Sequence, residues 1–224
     1  MTLSQLIKDI QRIAASGPIP DDFRIPDRQI ELWITELRSK LISQQVSKNK
    51  DISDIWIQRI GCLELEQVDK AECCDIETEC LILRSVRKLP QTIESGDANF
   101  IVSVTGLDGT HITPTTRYRQ RYKRYSRFTG KNKGWYVKDN YLYIINDDLL
   151  TYVNVDGIFD DPRELAEFKT CTGDSCFSYD STYPVSAKMA GDITDIIIGT
   201  KVRALLSLPQ DLTNDSANNQ QTIK

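Results

Sequence analysis

The chain has 224 residues, of which 40% are apolar and 27% charged, with 28 basic against 32 acidic side chains and a formal charge of −4. That is ordinary globular usage, so a hydrophobic core can form. The sequence isoelectric point of about 5.2 argues against a uniformly basic nucleic-acid-binding domain, and the longest apolar runs, such as Ile196-Ile197-Ile198, are far too short to cross a bilayer.

The first residues, Met1 to Lys8, lack a basic stretch followed by a long apolar run, so no signal peptide is expected. Residues 2–15 read as an amphipathic helix. Thr2 is placed to cap it with Gln5 as capping-box partner, and Leu3, Leu6, Ile7, Ile10 and Ile13 recur at helical spacing. Gly17-Pro18-Ile19-Pro20 ends it. A second helix starts after Pro26, with Asp27 as the expected N-cap. Its apolar stripe is Ile30, Trp33, Ile34, Leu37, Leu41 and Val46.

After Lys50 the period changes. Asp51 to Trp56 reads as a helical turn. Ile60 to Glu66 alternates as a strand does, Cys80 to Val86 is a second strand, and Phe100 to Thr105 a third. Asp108-Gly109 then marks a hairpin turn, because both residues tolerate positive φ. Trp135 to Val137 and Tyr141 to Ile145, joined by Lys138-Asp139-Asn140, form a further hairpin. An alternating strand follows from Leu150 to Phe159.

Asp161-Pro162 opens a short helix over 163–168, with proline at its first position. A polar loop holds Cys171 and Cys176. Residues 185–207 read as a last helix, with Met189, Ile193, Ile196, Ile197, Val202 and Leu205 on its apolar side and Gly191 and Gly199 weakening it. Pro209 ends it. In the tail, 213–224, only Ala217 and Ile223 are apolar, which predicts disorder in the free subunit. The expected fold class is α+β: N- and C-terminal helices forming a helical body, with a central, mainly antiparallel β-sheet insertion. The expected segments are 1–56 for the N-terminal helices, 57–160 for the β-rich region, 161–212 for the C-terminal helices and 213–224 for a flexible tail.

The chemistry-bearing residues are few. The sequence has no phosphate-binding loop, no dinucleotide-binding glycine pattern, no zinc-protease helix and no nucleophile elbow. A Ser/His or Cys/His pair would need His111, the single histidine, just past the Asp-Gly turn and expected to be exposed. The acid pairs Asp147-Asp148 and Asp160-Asp161 could hold magnesium in a hydrolase, but they sit at turn and cap signals, and that is the preferred reading. Six cysteines (62, 73, 74, 80, 171 and 176) lack the close pairs of a zinc site. The expectation is no zinc, no other cofactor, and free thiols in a reducing cytosol. Cys171 and Cys176 are the expected exception, as a late disulfide.

Charge distribution says more than net charge. From Glu64 to Glu79 there are seven acids (Glu64, Glu66, Asp69, Glu72, Asp75, Glu77 and Glu79) and one base, Lys70. From Arg117 to Lys133 there are eight bases and no acid. Within it, Arg117, Arg119, Arg121, Lys123, Arg124 and Arg127 are interleaved with Tyr118, Tyr122 and Tyr125. Such a segment suits phosphates and stacked bases, or an acidic protein surface, and encodes no base-sequence readout. The two runs together predict contacts between oppositely charged surfaces, with the acidic run as an inter-subunit contact. They point to a structural, non-enzymatic subunit. The competing class is a stand-alone, non-specific nucleic-acid-binding protein.

The order of parts resembles the head–tail connector, or ring, proteins of short-tailed, crAss-like bacteriophages. The resemblance is carried by Asp27-Arg-Gln-Ile-Glu-Leu-Trp-Ile34 on the second helix, the acidic segment in the sheet, Gly134 to Ile144 leading to Tyr152-Val-Asn-Val-Asp-Gly-Ile-Phe-Asp-Asp-Pro162, and a C-terminal helix with a polar tail. It spans nearly the whole chain. It implies a virion protein of the tail or neck, made in the host cytoplasm, with no membrane partner. The ring would be homo-oligomeric, commonly twelve-fold, stacked beneath the portal protein among other connector and tail proteins, with the genome passing through its channel at ejection. The helices would build the ring body, and the segment 117–127 would face DNA or an acidic neighbour.

Overall fold

The structure, a computed structural model, describes residues 1–18, 25–48, 52–68, 82–95, 98–116, 119, 132–147 and 149–206. Two helices open the chain. α1 (Leu3–Ala14) begins at the expected capping box: the Gln5 amide donates to Thr2 Oγ1 at 3.2 Å, and the Thr2 amide to Gln5 Oε1 at 3.0 Å. Leu3, Leu6, Ile7 and Ile10 are buried, whereas Ile13, expected on the same stripe, is exposed. α2 (Asp27–Ser47) has Pro26, not Asp27, at its cap position. Asp27 instead accepts a 2.5 Å hydrogen bond from Gln11 of α1, and as an acid in the first turn it still favours the helix dipole.

The strands are β1 (Gln58–Val68), β2 (Ile82–Ser85), β3 (Glu94–Ser95), β4 (Ala98–Asn99), β5 (Ile101–Gly106), β6 (His111–Pro114), β7 (Gly134–Lys138), β8 (Tyr141–Ile145) and β9 (Tyr152–Gly157). Seven of them close a barrel in the order β1-β2-β8-β7-β6-β5-β9, while β3 and β4 pair separately. β1 makes closure possible because it serves two neighbours. Gln58 to Glu64 pair with β9, and Leu65 to Val68 pair with β2. The register shifts between Ile60 and Leu63, where Cys62 takes a left-handed backbone at φ 50°. A bulge of this kind bends and twists a strand, as a closing barrel requires. The β7–β8 hairpin turns through Asp139 and Asn140, at φ 52° and 64°, as the sequence predicts.

The expected fold class is therefore corrected. The body is a closed β-barrel with short helices set against it, not a helical body with a sheet inserted. The individual strands carry their period, but closure depends on β1 meeting β9 some 90 residues later and on a parallel β6–β7 pair. No local pattern encodes either contact.

The last helix is also subdivided. α3 (Ala187–Ile196) is capped by Ser186, whose Oγ accepts from the Met189 amide at 3.2 Å. It runs into π-helical turns at Ile197–Val202, around Gly199, and then into α4 (Arg203–Leu206). Leu205 is exposed, contrary to the expected stripe. Among the cysteines, Cys62 and Cys171 are disulfide-bonded with Cα atoms 5.1 Å apart, and Cys176 is free. Both the expectation of free thiols at these two positions and that of a Cys171–Cys176 bond are corrected. Residues 168–176 fold into a small hairpin in which the Cys176 amide bonds the Phe168 carbonyl at 2.9 Å. Cys171 stands at the tip, and Cys176 lies at the base, away from it. Cys73, Cys74, Cys80 and the tail 213–224 lie outside the described residues.

Candidate functional site

Strand register gives the barrel two distinct ends. At one, the first residue of β1 pairs with the last of β9 (Gln58 with Gly157), Ile101 of β5 meets the same glycine, and the β7–β8 turn lies alongside. The helices are fastened here. Arg38 of α2, fully buried, donates to the carbonyls of Phe159 (2.7 Å), Pro184 (3.1 Å) and Asp160 (3.4 Å). Burial pulls its guanidinium below the ordinary value, against the opposing pull of Tyr183, Asp160 and Asp161. Arg38 was not anticipated as a buried residue, although it lies midway between buried Ile34 and Ile42 at i+4 steps on the apolar stripe.

Beside it, Asp161 caps the 3-10 helix Pro162–Glu167 by accepting from the Arg163 amide at 2.9 Å. The Arg163 guanidinium holds Asp161 at 2.7 Å and Glu31 of α2 at 2.9 Å. Burial opposes ionisation of Asp161, but the Arg163 hydrogen bonds and charge outweigh it and hold the carboxyl below the usual range. Asp160 accepts from the Ser39 hydroxyl. Asp161 is thus a helix cap, as one reading of the pair has it, whereas Asp160 is engaged by α2 and caps nothing.

The other end is a rim on which no helix sits among the described residues. Val68, the last residue of β1, pairs with Ile82, the first of β2; Ile82 also pairs with Ile145, and Ile145 with Gly134. The acidic run leaves the barrel after Val68 and returns at Ile82. The basic run returns here at Gly134, although it leaves β6 heading the other way, since β6 and β7 run parallel. The β5–β6 turn and the 146–151 connection share this rim, since Gly106 pairs with Val153. Lys133 forms an ion pair with buried Asp147, whose other oxygen accepts from the Leu149 amide at 3.1 Å. Asp147 is therefore a turn residue, and Asp148 lies outside the described residues. Leu149 is 86% exposed, and Leu107 and Tyr152 are also exposed. His111 is exposed at the start of β6.

Of the predicted site residues, Glu64 is exposed, and Glu66 is held at 2.5 Å by Arg84 of the adjacent strand. Arg84 in turn stacks over Tyr141, 4.8 Å from its ring centre. Arg119 is exposed, its amide donating to Thr116 Oγ1 at 3.2 Å. Asp69, Glu72, Asp75, Glu77, Glu79, Arg117, Arg121, Lys123, Arg124 and Arg127 lie outside the described residues. Just inside this rim, Val68, Ile82, Tyr136, Tyr143 and Ile145 form a second buried cluster, with Tyr136 and Tyr143 stacked at 5.2 Å. Its members alternate with core residues along β7 and β8, so these strands are buried on both faces. On the helical side, an open groove of about 580 Å³ runs between α1 and α3, lined by Leu6, Ile13, Val185 and Ala190, with Asp9 and Asp195 at its margin. Among the described residues, no group of three or more His, Cys, Asp or Glu is placed to hold a metal ion, and no helix is long and apolar enough to cross a membrane.

The family described as phage tail ring protein 2 matches residues 5–221, and the chain belongs to that family. The chain is thus a structural ring protein of the phage tail. Comparison with curated proteins finds no match.

Proposed function

We propose that this ring protein is a non-catalytic subunit of the head–tail connector, made in the host cytoplasm and built into a homo-oligomeric, twelve-fold ring that surrounds the DNA path between the portal protein and the tail. The observation that carries this reading is the asymmetry of the barrel. A closed ring uses two different surfaces of each subunit, one meeting the other on the next copy. The fold offers two. The rim away from the helices presents exposed Leu149, Leu107 and Tyr152 beside the points where the acidic run leaves the barrel and the basic run returns to it. The helical side presents the α1–α3 groove. The barrel closes on itself, so a neighbour that meets the barrel does so through side chains and connections rather than by adding a strand to it.

In this reading, Glu64 and the acids that follow it face a neighbouring subunit, and Arg117, Arg119, Arg121, Lys123, Arg124 and Arg127 face DNA or an acidic partner. Glu66 serves its own subunit through Arg84. A non-catalytic role is supported by the positive engagement of the acid pairs: Asp161 by Arg163, Asp160 by Ser39 and Asp147 by Lys133. Electron microscopy of particles tests the proposal. A closed ring of twelve copies between portal and tail is expected, and single scattered copies would sink it. Salt titration of DNA binding by purified rings separates the two roles of the basic run. Phosphate contact weakens linearly in the logarithm of salt concentration, and absence of DNA affinity at low salt assigns the run to protein.

A further inference from the structure

The Cys62–Cys171 bond joins the bulge of β1 to the tip of the 168–176 hairpin, across 109 residues of chain. Cytosolic proteins rarely hold such bonds, because the glutathione and thioredoxin systems keep thiols reduced. We propose that this pair is an exchangeable thiol site: open while the chain is made and assembled, and closed by thiol–disulfide exchange with a low-molecular-weight disulfide of the glutathione type once the particle is released. The timing rests on the virion reading above; the chemistry of the site does not.

Three features carry the inference. First, the hairpin is seated without the bond. Arg87 Nη1 donates to the Glu167 carbonyl at 2.7 Å, Ser175 Oγ to the Ala166 carbonyl at 3.0 Å, and the Thr170 amide to the Asp174 carbonyl at 2.7 Å. Thr170 lies so close to β1 that a Cβ on Gly61 would stand 3.6 Å from its Cα. On the barrel side, the Cys62 amide donates to Asn154 Oδ1 at 3.2 Å and fixes the bulge. The two thiols therefore stay side by side when reduced, and closure is effectively unimolecular.

Second, the pair is reachable. Cys171 is exposed and Cys62 half-buried. A cleft of about 170 Å³ opens beside Cys62, bordered by Arg87 and Lys169 and, with opposite sign, by Glu64 and Glu167. The two cations favour the carboxylates of a glutathione-like reagent, and the two acids temper that attraction. Third, the free thiol among the described residues is held away. Cys176 sits at the hairpin base opposite Phe168, so a Cys171–Cys176 bond would require the hairpin to open.

The exchange balances. One protein thiolate attacks the small disulfide, forming a mixed disulfide and releasing one small thiol. The second protein thiolate attacks the protein sulfur of that mixed disulfide and releases the other. Two protein thiols lose two electrons and two protons, and the reagent's S–S bond becomes two thiols.

Purified, folded chain is equilibrated in glutathione buffers of reducing and oxidising poise, trapped with an alkylating agent and mapped by mass spectrometry. The expected result is loss of the linked Cys62–Cys171 peptide in the reducing buffer, with two more alkylated cysteines per chain, and its return in the oxidising buffer. In Cys62→Ser, Cys171 should be alkylated in the reducing buffer and should carry the glutathione adduct in the oxidising one, a mixed disulfide with no second thiol to resolve it. A bond that resists reduced glutathione in the folded chain, or that never forms, overturns the proposal. Particles trapped before lysis should carry both thiols, and released particles the bond. A bond already closed before lysis overturns the timing and with it the proposal. In vitro exchange by a chain that forms no ring counts against the ring reading alone and supports the exchange site.

Discussion

The two ends of the barrel use charge in opposite ways. At the helical end the charged groups face inward or one another: Arg38 binds three carbonyls, and Arg163 bridges Asp161 and Glu31. At the other end Lys133 and Arg84 engage Asp147 and Glu66, but Glu64 faces solvent and Leu149 is almost bare. The first end is tuned for the fold of one chain, and in the proposed function the second is completed by another molecule. Substitutions at the two ends should therefore separate stability from assembly.

The largest effect is expected at Arg38. Arg38→Ala removes the donor to three buried carbonyls and leaves a cavity, and should destabilise the chain by about 3–5 kcal/mol. Denaturant unfolding of the isolated subunit measures it. An Arg38→Ala chain as stable as the parent would mean that the helical end is not fastened as described. Arg163→Met should cost less, about 1–2 kcal/mol, because the group is partly exposed and its partners can find water.

That site also has a pH signature. Asp161 titrates below its ordinary value in the folded chain, so its stabilisation is fully present above about pH 4 and is lost as pH falls through the folded value. Asp161→Asn should be less stable than the parent at neutral pH, and the difference should narrow on acidification below pH 4. A constant gap from pH 7 to pH 2 would dissociate Asp161 from acid unfolding.

The smallest effect on stability is expected at the rim. Leu149→Ser should leave unfolding within about 0.5 kcal/mol of the parent, while lowering incorporation into particles. Unchanged incorporation would remove Leu149 from the assembly surface. A fall in stability instead would break the contrast between the two ends.

Local features were legible in the sequence and distant ones were not. The Thr2–Gln5 capping box and the Asp139-Asn140 turn are specified within a few residues, by hydrogen-bond geometry and by tolerance of positive φ. Asp27 was misplaced by one position, because proline and aspartate both favour helix starts. Arg38 was missed because a charge on an apolar stripe reads as a gap, whereas here its partners are carbonyls from residues more than 120 positions away. The Cys62–Cys171 pair was missed for the same reason: proximity in sequence favoured Cys171 with Cys176, and only the barrel brings Cys62 beside the hairpin tip. Both flanks of the acidic run and the return of the basic run lie on one rim, a fact that follows from strand register and that no composition count contains.

The parallel contact between β6 and β7 has a consequence for the length of chain between them. It is only a two-residue ladder, Thr113 with Gly134 and Pro114 with Trp135, and the Thr115 amide still bonds the Trp135 carbonyl at 2.8 Å. Because the two strands run parallel, the chain leaves β6 heading away from the rim where it re-enters at Gly134, and the connection has to double back past the ladder as well as move sideways by one inter-strand spacing, roughly 5 Å. Parallel neighbours need about a dozen or more connecting residues, so the barrel's geometry asks for length here and asks nothing of the charge. Replacing residues 116–131 by a glycine–serine linker of equal length should leave barrel closure intact. The reason for the arginines has to be sought in the particle.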